Sequence, residues 1–138
     1  MIYSGVKIMG FERLPESELD IMRVLWTEKN ALKASEIVKL LADKYSWKVP
    51  TAHVLLSRLL NKGFVDVDKS GYSHKFFPLI EEGEYFAGES ALLMKKAKGR
   101  LPMMFASLVE SEDVSEEELL ELSEMLDKRL EAIKNKKG

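Results

Sequence analysis

Residues 49–67 read VPTAHVLLSRLLNKGFVDV, and the fold turns on this stretch. Pro50 suits the first turn of a helix, where its missing N–H would have no partner anyway. Gly63 suits the position just past a helix, which takes a left-handed backbone. Advancing about 100° per residue, as 3.6 residues per turn requires, puts Ala52, Leu55, Leu56 and Leu59 on one side, with Leu60 at its edge. That side is a core face. Beyond Gly63 the period drops to two: FVDVDK alternates apolar and acidic residues, as a strand with one buried face does.

The outer side of this helix carries Thr51, His53, Val54, Ser57, Arg58, Asn61 and Lys62. Short hydrogen-bonding side chains and one apolar group near the first turns are what reading a major groove requires. Ser, Thr and His can meet base edges or phosphates, and Val can touch a thymine methyl. Arg58 and Lys62, further along, can neutralise phosphates. The structural alternative is that Val54 packs on a neighbouring loop or on the linker around Trp47.

Working outward toward the N-terminus, SWKV is a short linker and ASEIVKLLADKY a helical stretch with Ile37, Leu40 and Leu41 on one face. TEKNALKA is polar and turn-like. LPESELDIMRVLW predicts a further helix, with Pro15 in its first turn, Glu16, Glu18 and Asp20 favouring its positive end, and Trp26 closing the core behind it. Each of the three helices is expected to be about three turns long. Residues 1–13 show no clear period and are expected to form a flexible extension, with Met9 a second candidate start.

Toward the C-terminus, SGY turns the chain and SHKFFPL returns as a second strand. Lys69, Ser70, Gly71 and Ser73 sit at the polar tip, where Lys69, Ser73 and Lys75 can grip a groove flank or phosphates. Three helices followed by a hairpin is the winged helix-turn-helix order. From Glu81 the chain is helical again: EEGEYFAGESALLMKKAKG, imperfect at Gly83 and Gly88, then the short RLPMMFASLVE, then a long helix opened by a capping box of Ser115 and Glu118. Leu119, Leu122, Leu126 and Ile133 lie close to a seam repeat that Arg129 interrupts. The predicted fold class is mainly α with a small β-hairpin wing. An N-terminal winged helix-turn-helix over 14–80 precedes a C-terminal helical dimerisation region over 81–138.

Charge is uneven. The whole chain is at −2, but residues 33–75 hold 8 basic and 4 acidic residues, and residues 110–138 hold 5 basic and 10 acidic. A basic segment followed by an acidic one points to an anionic partner for the first. There is no cysteine, which excludes a disulfide framework, a thiolate metal site and a cysteine nucleophile, and fits a cytoplasmic protein. No apolar run approaches the roughly 20 residues that span a bilayer, so no membrane partner is expected.

An enzyme is disfavoured. The chain has two histidines, His53 and His74, and lacks His-Glu-x-x-His, a Gly-rich phosphate loop and GxSxG. No cofactor and no metal site is expected. The competing class is a protein-interaction module, to which the acidic tail and Met94, Met103 and Met104 would contribute.

The sequence resembles the penicillinase-repressor (BlaI/MecI/CopY-type) family of bacterial winged-helix regulators, roughly from Leu14 to Leu130. ELDIMRVLW resembles the family's first helix and ASEIVKLL its second. Trp47, Thr51, LLSRLLNKGFV and FFPLIEEGEY resemble its recognition helix, wing and exit, and SLVESEDVSEEELLELSEML its dimerisation region. The resemblance implies a homodimeric transcriptional repressor on a palindromic operator of double-stranded DNA. Thr51, His53 and Val54 would read the groove. Arg58 and Lys62 would be backbone contacts or helix-end supports. With Lys48, Ser57, Ser73 and Lys75 these form the expected DNA-binding set. The expected dimer interface comprises Leu93, Met104, Phe105, Leu108, Leu119, Leu122, Leu126 and Ile133.

Three departures narrow what the resemblance implies. The family's Ser-Pro-Lys-Thr before the recognition helix is here Lys48-Val49-Pro50-Thr51, which implies a different operator preference. The Asn-Phe bond at which β-lactam-responsive members are cut corresponds to Ser107-Leu108. The C-terminal cysteines of copper-responsive members are absent, which excludes copper sensing by that route. The residues name no inducer.

Overall fold

The computed structural model describes residues 11–137. Of the expected loose extension over 1–13, residues 1–10, with the second start at Met9, lie outside the described residues, and residues 11–13 pack on the first unit instead. The described residues form six helices and a two-stranded hairpin: α1 Glu16–Glu28, α2 Ala34–Leu40, α3 Val49–Asn61, β1 Val65–Asp68, β2 Lys75–Pro78, α4 Glu82–Ala97, α5 Leu101–Val109 and α6 Glu116–Lys137. The fold is mainly α with a hairpin wing. The backbone groups into two compact units, one running through Leu92 and the other from Leu93.

The first unit is built on one apolar core. Ile21, Met22 and Leu25 of α1, Ile37 of α2, and Ala52, Leu56 and Leu59 of α3 have no solvent exposure, and Trp26, Val65, Phe76 and Tyr85 close around them. Burying such a side chain contributes roughly 1.5–3 kcal/mol each, so the core face of α3 is set by its leucines. Tyr85 lies on α4, which explains why this compact unit runs beyond residue 80. The Trp26 indole N–H donates to the Ile80 carbonyl at 2.8 Å and pins the chain as it leaves the wing.

Several local details differ from the periodic reading. Helix α1 begins at Glu16, with Pro15 outside it as the N-cap, its carbonyl accepting the Leu19 N–H at 2.9 Å. Helix α2 has only seven residues. Its buried stripe is Ile37 with half-buried Leu41, one turn apart, while Leu40 falls off the stripe and is 46% exposed. The stretch read as a turn between α1 and α2 contributes to the wing. Leu32 is buried and pairs with Phe76 through two backbone hydrogen bonds of 2.9 and 2.7 Å.

Helix α3 ends as its sequence predicts. Gly63 takes φ +79°, the Phe64 N–H reaches back to the Leu59 carbonyl at 2.9 Å, and the Gly63 N–H bonds that of Leu60 at 3.1 Å. This is a Schellman closure, and it turns the chain directly into β1. The hairpin is antiparallel, with Val67 opposite Phe76 and Asp68 opposite Lys75.

Residues 11–14 strap the first unit. Phe11 packs on Tyr85, ring centroids 5.2 Å apart, and its ring lies where a Cβ on residue 88 would stand. Gly88 is thus a seat for that ring, which its reading as a helix imperfection did not anticipate. Arg13 pairs with Glu89 at 2.9 Å, and the Leu14 N–H donates to the Tyr85 hydroxyl at 3.0 Å. Burial raises the Tyr85 phenol above its ordinary pKa.

In the second unit, α5 and α6 bury no residue. The Ser115 capping box is formed: the Glu118 N–H donates to the Ser115 hydroxyl and the Ser115 N–H to the Glu118 carboxylate, both at 3.1 Å.

Candidate nucleic-acid interface

The outer face of α3 is assembled from both of its neighbours. At its N-terminal end, Trp47 stacks flat on Tyr45, 4.1 Å between centroids at 13°. The Tyr45 hydroxyl in turn donates to Asp20 of α1 at 2.7 Å. Asp20 also accepts from Arg23 and Lys44 at 2.8 and 2.9 Å. Burial alone would push this carboxyl up, but the hydrogen bonds from Tyr45, Lys44 and Arg23 outweigh it and hold the pKa below the ordinary value. Trp47 is therefore committed to Tyr45, and Val54 stands 53% exposed.

At the other end of α3, the Lys62 ammonium donates to Glu18 of α1 at 2.7 Å and lies 3.5 Å from Glu12. Glu18 is almost wholly buried, so Lys62 supplies the charge partner that its desolvation demands. The Glu18 hydrogen bond raises the Lys62 pKa. Lys62 thus stands as a helix-end support.

Between these two anchors Thr51, His53, Val54, Ser57, Arg58 and Asn61 are all exposed on one face, as is Lys48 just before the helix. His53 rests edge-on against Phe76 of the wing, 6.1 Å between ring centroids. Lys75 is exposed and Ser73 half-buried at the wing. The basic excess of residues 33–75 is smaller at the surface than in the sequence. Lys44 and Lys62 are paired with Glu16, Asp20, Glu18 and Glu12, all from outside that stretch.

Two features escaped the sequence reading. Tyr72 at the wing tip is fully exposed, the only large apolar side chain in a run of serines and a glycine. That isolation was a signal. A cleft of about 340 Å³ also opens between wing tip and helix, lined by Lys33, Val49, His53, Tyr72, Ser73 and His74 among others. It depends on long-range folding and has no local signature. Among the described residues no group of three or more His, Cys, Asp or Glu is arranged to hold a metal, and no helix is long and apolar enough to cross a membrane.

In the second unit, Phe105, Leu108, Val109, Leu119, Leu122 and Met125 line an apolar cleft of about 310 Å³. Leu93, Phe105, Leu108, Leu122 and Leu126 are exposed, and Met104, Leu119 and Ile133 half-buried. Exposed Leu120, Met125 and Leu130 extend this surface beyond the expected set.

A sequence model described as penicillinase repressor matches residues 14–128. The methicillin resistance regulatory protein MecI of Staphylococcus aureus strain N315 is 28% identical over 117 residues, covering 84% of this chain and 94% of that protein. The penicillinase repressor of Bacillus licheniformis is 29% identical over 116 residues, 83% of this chain and 90% of that one. Among solved structures, the Bacillus licheniformis BlaI monomer in complex with the blaP half-operator aligns with a TM-score of 0.46 at 28% identity, over 54% of this chain and 89% of that one.

Proposed function

The chain belongs to the penicillinase-repressor family, and from that premise we propose that it is a cytoplasmic, sequence-specific DNA-binding transcriptional repressor acting as a homodimer on a palindromic operator. It acts by binding and not by catalysis. In this reading α3 enters the major groove. Thr51, His53 and Val54 read base edges there, while Lys48, Ser57 and Arg58 contact the backbone and Ser73 and Lys75 the flank. The observation that carries it is the outer face of α3: a contiguous polar surface centred on an exposed valine, held at both ends by groups that leave it free. A merely solvated helix face has no use for Val54 at that place.

Homodimerisation is supported by the second unit. Helices α5 and α6 bury nothing within one chain, yet carry a run of exposed Leu, Met, Phe and Val. A second copy would cover that surface. The proposed arrangement pairs residues of 81–138 and leaves 14–80 for DNA.

The test is selection of bound duplexes from a random library by the full-length protein at physiological salt. A palindromic consensus with half-sites about one helical turn apart is expected. The double variant His53→Ala with Val54→Ala should weaken binding and relax the preference. Unchanged affinity and unchanged preference would remove the groove-reading assignment, and enrichment of no sequence would remove the repressor reading in favour of an interaction module.

A further inference from the structure

We infer that Tyr72 is a DNA-contacting residue, reaching from the wing tip into the minor groove beside the major groove that α3 occupies, with the intervening sugar–phosphate strand lying in the cleft between them. The inference rests on the DNA-binding reading above and adds a contact to it.

The cleft beside the wing is shaped to take a backbone strand. Its walls are the N-terminal part of α3, through Val49 and His53, the wing tip, through Tyr72, Ser73 and His74, and the start of α2, through Lys33 and Ser35. A duplex whose major groove holds the outer face of α3 must carry one backbone strand past that wall. The lining suits such a strand: Lys33 brings a cationic group, and the His74 imidazole and the Ser35 and Ser73 hydroxyls can donate to phosphate oxygens. Beyond that strand lies the minor groove, and the side chain placed beyond the cleft is Tyr72.

Tyr72 is free to make the contact. Its side chain is fully exposed, with no hydrogen bond or ring partner among the described residues. Its base is braced. Asp68 accepts from the Ser70 N–H at 2.9 Å and from the Ser70 hydroxyl at 2.6 Å, which closes one side of the turn. Phe76, buried and bridged to Leu32, fixes the returning strand. An aromatic ring held on a braced turn loses little freedom on binding. Its face can pack against deoxyribose while its hydroxyl meets a phosphate or a minor-groove acceptor. Lys69 and Lys75, exposed on either side, favour an anionic partner over an apolar one.

The experiment uses the full chain and the duplex it selects from the random library. Tyr72→Ala should bind that duplex about tenfold more weakly, with an unchanged melting temperature, because a fully exposed side chain is removed. Hydroxyl-radical footprinting, which reads the accessibility of deoxyribose, should show protection flanking each major-groove contact for the parent protein. That flank alone should be lost in Tyr72→Ala. Tyr72→Phe keeps the ring and should keep the flank protection. Equal binding by Tyr72→Ala, weaker binding with the flank protection intact, or a Tyr72→Phe variant indistinguishable from Tyr72→Ala would each overturn the ring contact. In those cases the repressor reading survives on the parent's selected consensus. Failure of the parent to select any duplex would remove both.

Discussion

The two compact units are built from the same kind of material and use it in opposite ways. In the first, leucines of α1 and α3 disappear into a shared core, and even the buried charges of Glu18 and Asp20 are matched by Lys62, Lys44 and Arg23. In the second, the leucines of α6 stay on the surface: Leu120, Leu122, Leu126 and Leu130 are each more than a third exposed. The first unit has the contents of a domain that holds itself together. The second has amphipathic helices whose apolar side still lacks a partner. The contrast separates what one chain stabilises alone from the surface on which the proposed association rests.

A leucine truncated in each unit sharpens that contrast. Leu56→Ala should cost about 3–4 kcal/mol in urea unfolding, since the site is wholly enclosed and leaves a cavity. Leu126→Ala should change the stability of an isolated protomer by less than about 0.5 kcal/mol. Equal losses at both positions would erase the distinction between the units. Glutamate at both Leu122 and Leu126 acts on association instead. Sedimentation should show monomers, with operator affinity down about a hundredfold through lost bivalency, while the first unit melts as before. A fully dimeric double variant would move the interface elsewhere.

Lys62→Ala tests the polar side of the first unit. It strands Glu18 in the core, and with partial solvent access at the site the loss should be about 2–3 kcal/mol. The parent's pair adds a pH signature. The Lys62 pKa is raised in the folded state, so its contribution is complete below the ordinary lysine value of 10.5 and fades as pH rises through the folded value. Alkaline titration of stability should therefore be steeper for the parent than for Lys62→Ala. Parallel curves would contradict the pairing. Among the losses expected within the first unit the smallest is that of Gly88→Ala, whose methyl group must displace the Phe11 ring, at about 1–2 kcal/mol. A neutral Gly88→Ala would mean the strap contributes little.

How far the sequence could be read followed the range of each interaction. The core face of α3, its stop at Gly63, the alternation of β1 and the Ser115 capping box are all decided within a few residues, and each was legible. Lys62 was left between a phosphate contact and a helix-end support, because its partner Glu18 lies 44 residues away. The bridge between Leu32 and Phe76 was equally hidden, since nothing local distinguishes a pairing residue in a polar turn. Leu40 looked like core because a step of three from Ile37 fits a helical stripe as well as the step of four to Leu41, and only the tertiary packing chose Leu41. In the candidate site, the exposed face of α3 followed from periodicity. The cleft and the prominence of Tyr72 needed the hairpin to be folded back beside that helix.

The division of labour along α3 has an evolutionary consequence. Its C-terminal end is locked by the Gly63 closure and the Lys62–Glu18 pair, and its inner face by leucines. Thr51, Val54 and Ser57 enter neither arrangement. Substitutions there are expected to be close to neutral for folding, so under the proposed groove-reading role of Thr51 and Val54 the preferred DNA sequence could drift between descendants without passing through an unstable intermediate. On that assignment, a change of target need not be a change of shape.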